Sequence, residues 1–329
     1  MDRVLVVGGG AWGTALAMVA RRAGRSVTLW AREAEVVEGV NAGHENGMFL
    51  PGVALDPAIT AEADLAAAAR NAEAVLLVTP AQHLRSLLAQ ITAPLGANVP
   101  LIIASKGIEQ ETGLLLSEVL AEAGLSGRTA VLSGPTFAAE VARGLPTAVT
   151  LAAEDRALAE DLALAIGGPL FRPYISTDVI GAQIGGAVKN VIAIACGIVH
   201  GRKLGENARA ALITRGLAEI GRLGAAKGGS AQTLMGLSGL GDLTLTCNSI
   251  QSRNMSLGVA LGEGRSLADV LGARNSVAEG VWTAQSVGAL ARRLGVEMPI
   301  CGAVERILHE GADIEAEIEG LLSRPFRGE

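Results

Sequence analysis

Lysine is rare in this chain, and two of its lysines stand where an amine can do chemistry. Of 27 basic residues only four are lysines: Lys106, Lys189, Lys203 and Lys227. Arginine, the ordinary surface base here, keeps its proton near neutral pH, whereas a buried lysine can be tuned to release one. Lys189 lies in Gly185-Gly186-Ala187-Val188-Lys189-Asn190-Val191-Ile192-Ala193, a polar pair inside an apolar helical pattern. Burial there disfavours the charged form and lowers the pKa. That suits a general acid/base that hands a proton to a carbonyl oxygen while hydride reduces the ketone. Gly185, Gly186 and Ala193 share the lysine's face and predict room for a ligand beside the ammonium group. The alternative is a buried lysine satisfied by a structural carboxylate.

Around Lys189 the sequence offers partners. Asp242, in Gly239-Leu240-Gly241-Asp242-Leu243, is a lone acid in a glycine-rich apolar turn. It is expected to orient Lys189 and tune its proton affinity, or else only to form the turn. Lys106, in Ser105-Lys106-Gly107, ends a predicted parallel strand, the place where open α/β sheets bind ligands. It is placed to hold substrate and cofactor together, with a solvated loop lysine as the bland alternative. Ser133-Gly134-Pro135-Thr136 follows another strand and offers hydroxyls and N–H groups to an anion. Ser252-Arg253-Asn254 opens a helix and combines a guanidinium, an amide and a helix start, a set suited to phosphate. Each alone reads equally well as an ordinary cap. Together with Lys189 they describe a phosphate-bearing substrate.

A second cluster is a nucleotide site. Gly8, Gly10 and Gly13 form Gly-x-Gly-x-x-Gly after the first predicted strand and at the start of a helix. The first glycine permits the tight turn, the second lets backbone approach a pyrophosphate, and the third lets helix and strand pack closely. Near the end of the second strand the chain reads Trp30-Ala31-Arg32-Glu33. An acidic residue ending that strand favours NAD(H), whereas Arg32 can meet a 2′-phosphate. The expectation is NADP(H), with NAD(H) tolerated. The scattered histidines (His44, His83, His200, His309) have no metal spacing, and no metal is expected.

The elements that must position these groups change character along the chain. Strands are predicted at Arg3–Val7, Ser26–Trp30, Ala74–Thr79, Pro100–Ser105, Thr129–Leu132 and Thr147–Ala152. Between them helices are predicted at Trp12–Ala23, Leu84–Ile91, Gly113–Ala123 and Phe137–Ala142. Short apolar strands alternating with helices mean βαβ units and a parallel sheet covered on both faces. After about Ile180 the pattern is helical: Ile180–Val199, Asn207–Ala226, Arg253–Leu261, Ser266–Leu271, Val281–Leu294 and Ala303–His309. The fold class is therefore α/β, an N-terminal Rossmann-type parallel sheet domain (1–178) followed by an all-helical C-terminal domain (179–329). A capping residue in Thr177-Asp178 marks the boundary.

Composition excludes several alternatives. Half of the 329 residues are hydrophobic and 18% are charged, which rules out extensive disorder. The net charge of −6 argues against a general nucleic-acid or anionic-membrane binder. Aromatics make up 2%, too few for base-stacking platforms. Cys196, Cys247 and Cys301 lie far apart in sequence and suit a reducing compartment. The uncharged run Val4–Ala20 fits a secretory signal poorly, because Asp2 precedes it and three glycines interrupt it. The run Val191–Val199 is far shorter than the roughly 20 residues of a membrane span. A cytoplasmic protein without stable membrane insertion is expected.

Seven segments together resemble the bacterial NAD(P)-dependent glycerol-3-phosphate dehydrogenase family. They are GGGAWGTAL (8–16), SKGIE (105–109), SGPTFAAEV (133–141), GAVKNVIAIACG (186–197), LSGLGDLTLTC (237–247), SRN (252–254) and VAEGV (277–281). The resemblance implies reversible hydride transfer between sn-glycerol 3-phosphate and dihydroxyacetone phosphate, feeding phospholipid synthesis, in a homodimer. It implies Lys189 as proton acceptor in oxidation. Lys106, Gly134, Thr136, Asp242, Ser252, Arg253 and Asn254 would hold substrate. Trp12, Arg32, Lys106, Ala138, Arg253, Val277 and Glu279 would contact cofactor. Ala11 stands where the family often has serine, which removes one hydroxyl from the pyrophosphate turn; Thr136 for a frequent serine is a mild change. Rival readings are a β-hydroxyacid or phosphogluconate-type dehydrogenase, which shares the buried lysine, and a non-catalytic NAD(P) sensor, which would not need it.

Overall fold

The computed structural model describes residues 1–273 and 278–325. Its first half is one eight-stranded sheet in the order β3-β2-β1-β4-β5-β6-β7-β8. The strands are β1 (Arg3–Val7), β2 (Ser26–Trp30), β3 (Ile59–Glu62), β4 (Ala74–Leu77), β5 (Leu101–Ile103), β6 (Thr129–Ser133), β7 (Thr147–Ala153) and β8 (Phe171–Ser176). Strand order reverses beside β1, with β2 on one side and β4 on the other. That crevice is where such sheets bind nucleotides. Along β1, Val4 and Val6 join the apolar layer on one face, and Leu5 and Val7 the layer on the other. Both faces are thus covered, as a nearly continuous apolar strand requires.

Two strands escape the sequence reading, and one runs the other way. β3 and β8 are the sheet's two edges. The first is only four residues long, and the second carries Arg172, Pro173 and Ser176. Neither has the apolar run of a central strand. β7 pairs antiparallel with β6, which corrects a purely parallel sheet. The segment between them holds a single five-residue helix, Ala138–Ala142, which returns the chain alongside β6 instead of crossing the sheet.

From Val179 onward every regular element among the described residues is helical. Asp178 starts the series: one carboxylate oxygen accepts from the Gly181 N–H and the other from the Ser230 N–H, both at 2.8 Å. The helix Val179–Gly201 is 23 residues long and buried on nearly every side. By length and composition it could cross a membrane, so it is longer than its apolar stretch Val191–Val199 suggested; 94% of its most apolar window is enclosed by protein. Its first turns pack under the sheet through Val179 and Ala182, and its middle forms the second core with Val188, Val191 and Ile194. The helix Arg253–Gly262 crosses it almost backbone to backbone. A Cβ on Gly197 would stand 2.2 Å from the Met255 carbonyl oxygen, and one on Gly258 would stand 2.1 Å from that of Ile194.

The remaining helices include Glu206–Ala226, Leu267–Gly272, Glu279–Leu294, Pro299–His309 and Ile314–Leu322. The fourth of these begins earlier than expected because Pro299 is tolerated in a first turn. The last was not expected.

Candidate active site

Lys189 points into protein. It is 6% exposed, and its Nζ donates to Asp242 Oδ1 at 2.6 Å and to Thr246 Oγ1 at 2.7 Å. The other carboxylate oxygen, Asp242 Oδ2, accepts from Lys106 Nζ at 2.6 Å, and Lys106 also reaches the Gly134 carbonyl at 3.1 Å. Asp242 itself is fully buried. One carboxylate therefore bridges two ammonium groups, leaving a formal surplus of one positive charge. Burial lowers the Lys189 pKa to about 8; Asp242 opposes the shift, and the Lys106 charge adds to it. Such an amine can both give and take a proton near neutral pH.

Three elements make this triad. Lys189 comes from the middle of the long helix. Lys106 follows β5, at the carboxyl end of the sheet. Asp242 is the first residue of a short helix, Asp242–Cys247, and not a turn former. A π-helical turn, Leu237–Gly241, precedes it. Helical spacing puts Thr246 one turn beyond Asp242, where its hydroxyl donates to the Asp242 carbonyl at 2.6 Å.

The small residues before Lys189 do not leave room for a ligand, contrary to the sequence expectation. A Cβ on Gly185 would stand 2.3 Å from the Ser238 carbonyl oxygen, and one on Gly186 would stand 2.7 Å from Ser133 Oγ. Both glycines let other chain segments approach. What remains beside Gly186, Lys106 and Ser133 is a void of about 10 Å³, the size of one water.

The three residues expected to grip a phosphate have different partners. The Ser252 hydroxyl accepts the Met255 N–H at 3.2 Å and caps the helix. Asn254 donates to Asn190 Oδ1 at 2.9 Å and accepts the Gly280 N–H at 2.9 Å, so its amide ties together the helices that carry Lys189 and Glu279. Arg253 is solvent-accessible, yet protein crowds its head: burial lowers its pKa, and the Glu279 charge opposes this. Burial raises Glu279 to about 7, against the pull of Arg253 and of the Ala81 N–H. The buried Oε2 of Glu279 has no hydrogen-bond partner, nor do the Thr283 and Ser133 hydroxyls. A Cβ on Gly107 would lie 3.5 Å from that Oε2, so Glu279 stands over the loop that carries Lys106.

At the other anion grip, Gly134 has φ +153°, and a Cβ there would stand 2.9 Å from Val149 Cα. Thr136 Oγ1 donates to the Gly134 carbonyl at 3.2 Å. Half-buried Ala138 opens the next short helix.

The glycine turn has the geometry its spacing predicts. Gly8 has φ +133°, and a Cβ on Gly13 would collide with the Gly8 carbonyl oxygen at 1.8 Å. Gly10 precedes the helix Ala11–Arg22, and a Cβ on it would meet nothing within 4 Å. Open space thus lies beside the residue that precedes this helix start, where an anion site would be. The half-buried Trp12 has a buried Nε1 with no partner. These features fit a dinucleotide. Arg32 lies exposed after β2, its guanidinium held by Glu33 Oε1 at 2.9 Å. Val277 lies outside the described residues.

Sequence reasoning assigned no role to Thr246, Asn190, Thr14 or Asn46. Asn190 was visible as the lysine's polar neighbour in an apolar helix, and Thr246 stands four residues beyond Asp242. Nothing in composition marks Thr14 or Asn46, since neutral polar residues are common in loops and helix starts. Among the described residues no cluster suits a metal ion, and the three cysteines are buried and free.

Known proteins resemble this chain along its whole length. The family model described as the N-terminus of NAD-dependent glycerol-3-phosphate dehydrogenase matches residues 3–159, and the corresponding C-terminal model matches residues 178–319. A glycerol-3-phosphate dehydrogenase [NAD(P)+] from Parvibaculum lavamentivorans is 62% identical over 99% of this chain and 98% of its own. One from Rhodospirillum rubrum is 61% identical over 100% and 94%. The crystal structure of glycerol-3-phosphate dehydrogenase from Coxiella burnetii superposes with a TM-score of 0.93 at 40% identity, covering 98% of this chain and 99% of that one.

Proposed function

This chain belongs to the NAD-dependent glycerol-3-phosphate dehydrogenase family, and we propose that it interconverts sn-glycerol 3-phosphate and dihydroxyacetone phosphate with NADP(H) or NAD(H). The observation that carries the chemistry is the buried Lys189–Asp242 contact at 2.6 Å, with Lys106 on the opposite carboxylate oxygen. The cofactor, when bound, supplies or accepts the hydride at the substrate's C2.

In the reducing direction Lys189 gives its proton to the C2 oxygen, and in the oxidising direction it takes that proton back. Asp242 holds the amine in place and favours its charged form, which keeps a proton available at neutral pH. Lys106 keeps the pocket positive for a substrate that carries a phosphate. Arg253 is assigned to that phosphate, with the neighbouring Ser252 hydroxyl and Asn254 amide as further donors. Gly134 and Thr136 complete the substrate wall. For the cofactor, Gly8, Gly10, Ala11 and Gly13 receive the pyrophosphate, Arg32 the 2′-phosphate, and Trp12, Lys106, Ala138, Arg253 and Glu279 line the rest. The open face of Gly10 and the unpartnered Trp12 Nε1 support this.

We further propose a cofactor-binding domain of residues 1–178 and a substrate-binding, catalytic domain of 179–329, with a homodimer working in the cytoplasm and supplying glycerol 3-phosphate for phospholipid synthesis. The decisive assay follows the absorbance of NADPH, and in parallel of NADH, on adding dihydroxyacetone phosphate. Oxidation of either cofactor that depends on that substrate, and not on unphosphorylated dihydroxyacetone, supports the reading; no substrate-dependent change with either overturns it.

A further inference from the structure

The glycine turn is held from behind by a side chain outside the fingerprint. Asn46 is completely buried, in the loop that follows the π-helical turn Gly39–Gly43. Its amide nitrogen donates both protons, one to the Gly9 carbonyl at 2.7 Å and one to Thr14 Oγ1 at 2.8 Å. Its amide oxygen accepts the Phe49 N–H at 3.1 Å. Thr14, also fully buried, passes the contact on: its hydroxyl donates to the Gly10 carbonyl at 3.0 Å. The amide orientation is unambiguous, since a carbonyl oxygen can only accept.

The consequence follows from peptide geometry. In a trans peptide the C=O of one residue and the N–H of the next point in opposite directions. Pinning the Gly9 carbonyl on Asn46 therefore aims the Gly10 N–H away from the protein. The Gly10 carbonyl needs no such brace, because it already accepts the Thr14 N–H at 2.9 Å as the first bond of the helix, with the Thr14 hydroxyl added at 3.0 Å. Beside Gly10 the space is open, with no atom within 4 Å of a would-be Cβ. Glycine peptides rotate more freely than others, so without the Asn46 brace the Gly9–Gly10 plane would sample orientations that present an oxygen to an anion. The brace also offsets the missing hydroxyl at Ala11, because the anion is left with backbone donors whose directions must be fixed.

We propose that Asn46, itself held by the Thr14 hydroxyl, is a positioning residue that locks the Gly9–Gly10 peptide with the Gly10 N–H toward the cofactor's pyrophosphate. This rests on the cofactor reading given above.

The test compares wild type with Asn46→Asp and Thr14→Val. Asn46→Asp keeps the shape but replaces the donor to the Gly9 carbonyl with an acceptor, and Thr14→Val removes the hydroxyl. NADPH affinity is measured by fluorescence titration, together with affinity for ADP-ribose, which has the pyrophosphate but no nicotinamide. KM and kcat for dihydroxyacetone phosphate are measured at saturating NADPH, and Tm is recorded. The expected result is weaker binding of both ligands, roughly ten- to a hundredfold for Asn46→Asp and less for Thr14→Val. At saturating NADPH, kcat should stay within about twofold, as expected for a loss of uniform binding. A folded Asn46→Asp protein that binds both ligands like wild type overturns the proposal, whatever its Tm. If that variant does not fold, Thr14→Val decides in the same way. Wild type failing to bind NADPH would overturn the cofactor reading instead.

Discussion

Lys189 and Lys106 hold the two oxygens of one carboxylate, each at 2.6 Å from Asp242. They come from different halves of the fold, one from the long helix and one from the loop after β5, so the pair forms only where the sheet meets the helices. Two cations sharing one anion is an arrangement that burial alone would disfavour. It becomes useful when a third charge, the substrate's phosphate, is to be received nearby.

Replacing the amine tests the proton-transfer role. Lys189→Met should lower kcat about 10²- to 10⁴-fold in both directions, with a smaller effect on NADPH affinity. Steady-state rates with dihydroxyacetone phosphate and a separate NADPH titration check this; near-normal turnover would dismiss the role.

The pH profile follows from the same amine. Lys189 titrates at about 8. Ketone reduction needs its protonated form, so kcat should be flat below about 8 and fall above it. Alcohol oxidation needs the free amine and should rise through 8 and then level off. In Asp242→Asn the partner that favours the charged form is gone, so the break in reduction should move to lower pH. Glu279 titrates at about 7, and Glu279→Gln should leave the Lys189 break in place. Initial rates in both directions across the alkaline range read these limbs; an unmoved break in Asp242→Asn contradicts the coupling.

Replacing Arg253 tests which ligand its guanidinium serves. Arg253→Ala should raise KM for dihydroxyacetone phosphate, on the scale of one lost charge-assisted contact, about tenfold or more. If only NADPH binding suffers, the phosphate assignment is wrong and the guanidinium serves the cofactor alone.

Cofactor choice should depend on Arg32. Its guanidinium lies beside the Glu33 carboxylate, exposed on a loop, so a ligand phosphate must compete for it. Arg32→Ala should weaken NADPH about tenfold and NADH little. Paired titrations with the two reduced cofactors settle it; equal losses would remove Arg32 as the discriminator.

The helix crossing predicts a stability effect with no catalytic residue touched. In Gly197→Ala the new methyl would overlap the Met255 carbonyl oxygen, and overpacking of this kind typically costs about 1–3 kcal/mol. A lowered Tm is expected, and an unchanged Tm would mean the two helices can separate freely.

Much of this was legible in the sequence for specific reasons. Gly8 and Gly13 announced themselves because only glycine satisfies the turn and the close packing there, and Gly10 because its spacing from them completes the fingerprint. Lys189 was conspicuous because lysine is rare here and its helix is apolar. The edge strands β3 and β8 were not legible, since they are short or interrupted by polar residues and proline, and pairing rather than pattern makes them strands. Gly185 and Gly186 were misread because a small residue shows that something comes close without showing whether it is ligand or chain. Thr246 and Asn46 were silent because an ordinary hydroxyl or amide acquires meaning only from what long-range folding sets beside it.

The helix that carries Lys189 is greasy enough to pass for a membrane span, yet most of its cover comes from segments made later, above all Arg253–Gly262 and Glu206–Ala226. On the ribosome it therefore emerges before the pieces that hide it have been translated. During that interval the nascent polypeptide exposes a sticky surface of the kind that recruits chaperones and nucleates aggregates, and nonsense or frameshift alleles ending before the Arg253 helix should yield insoluble products.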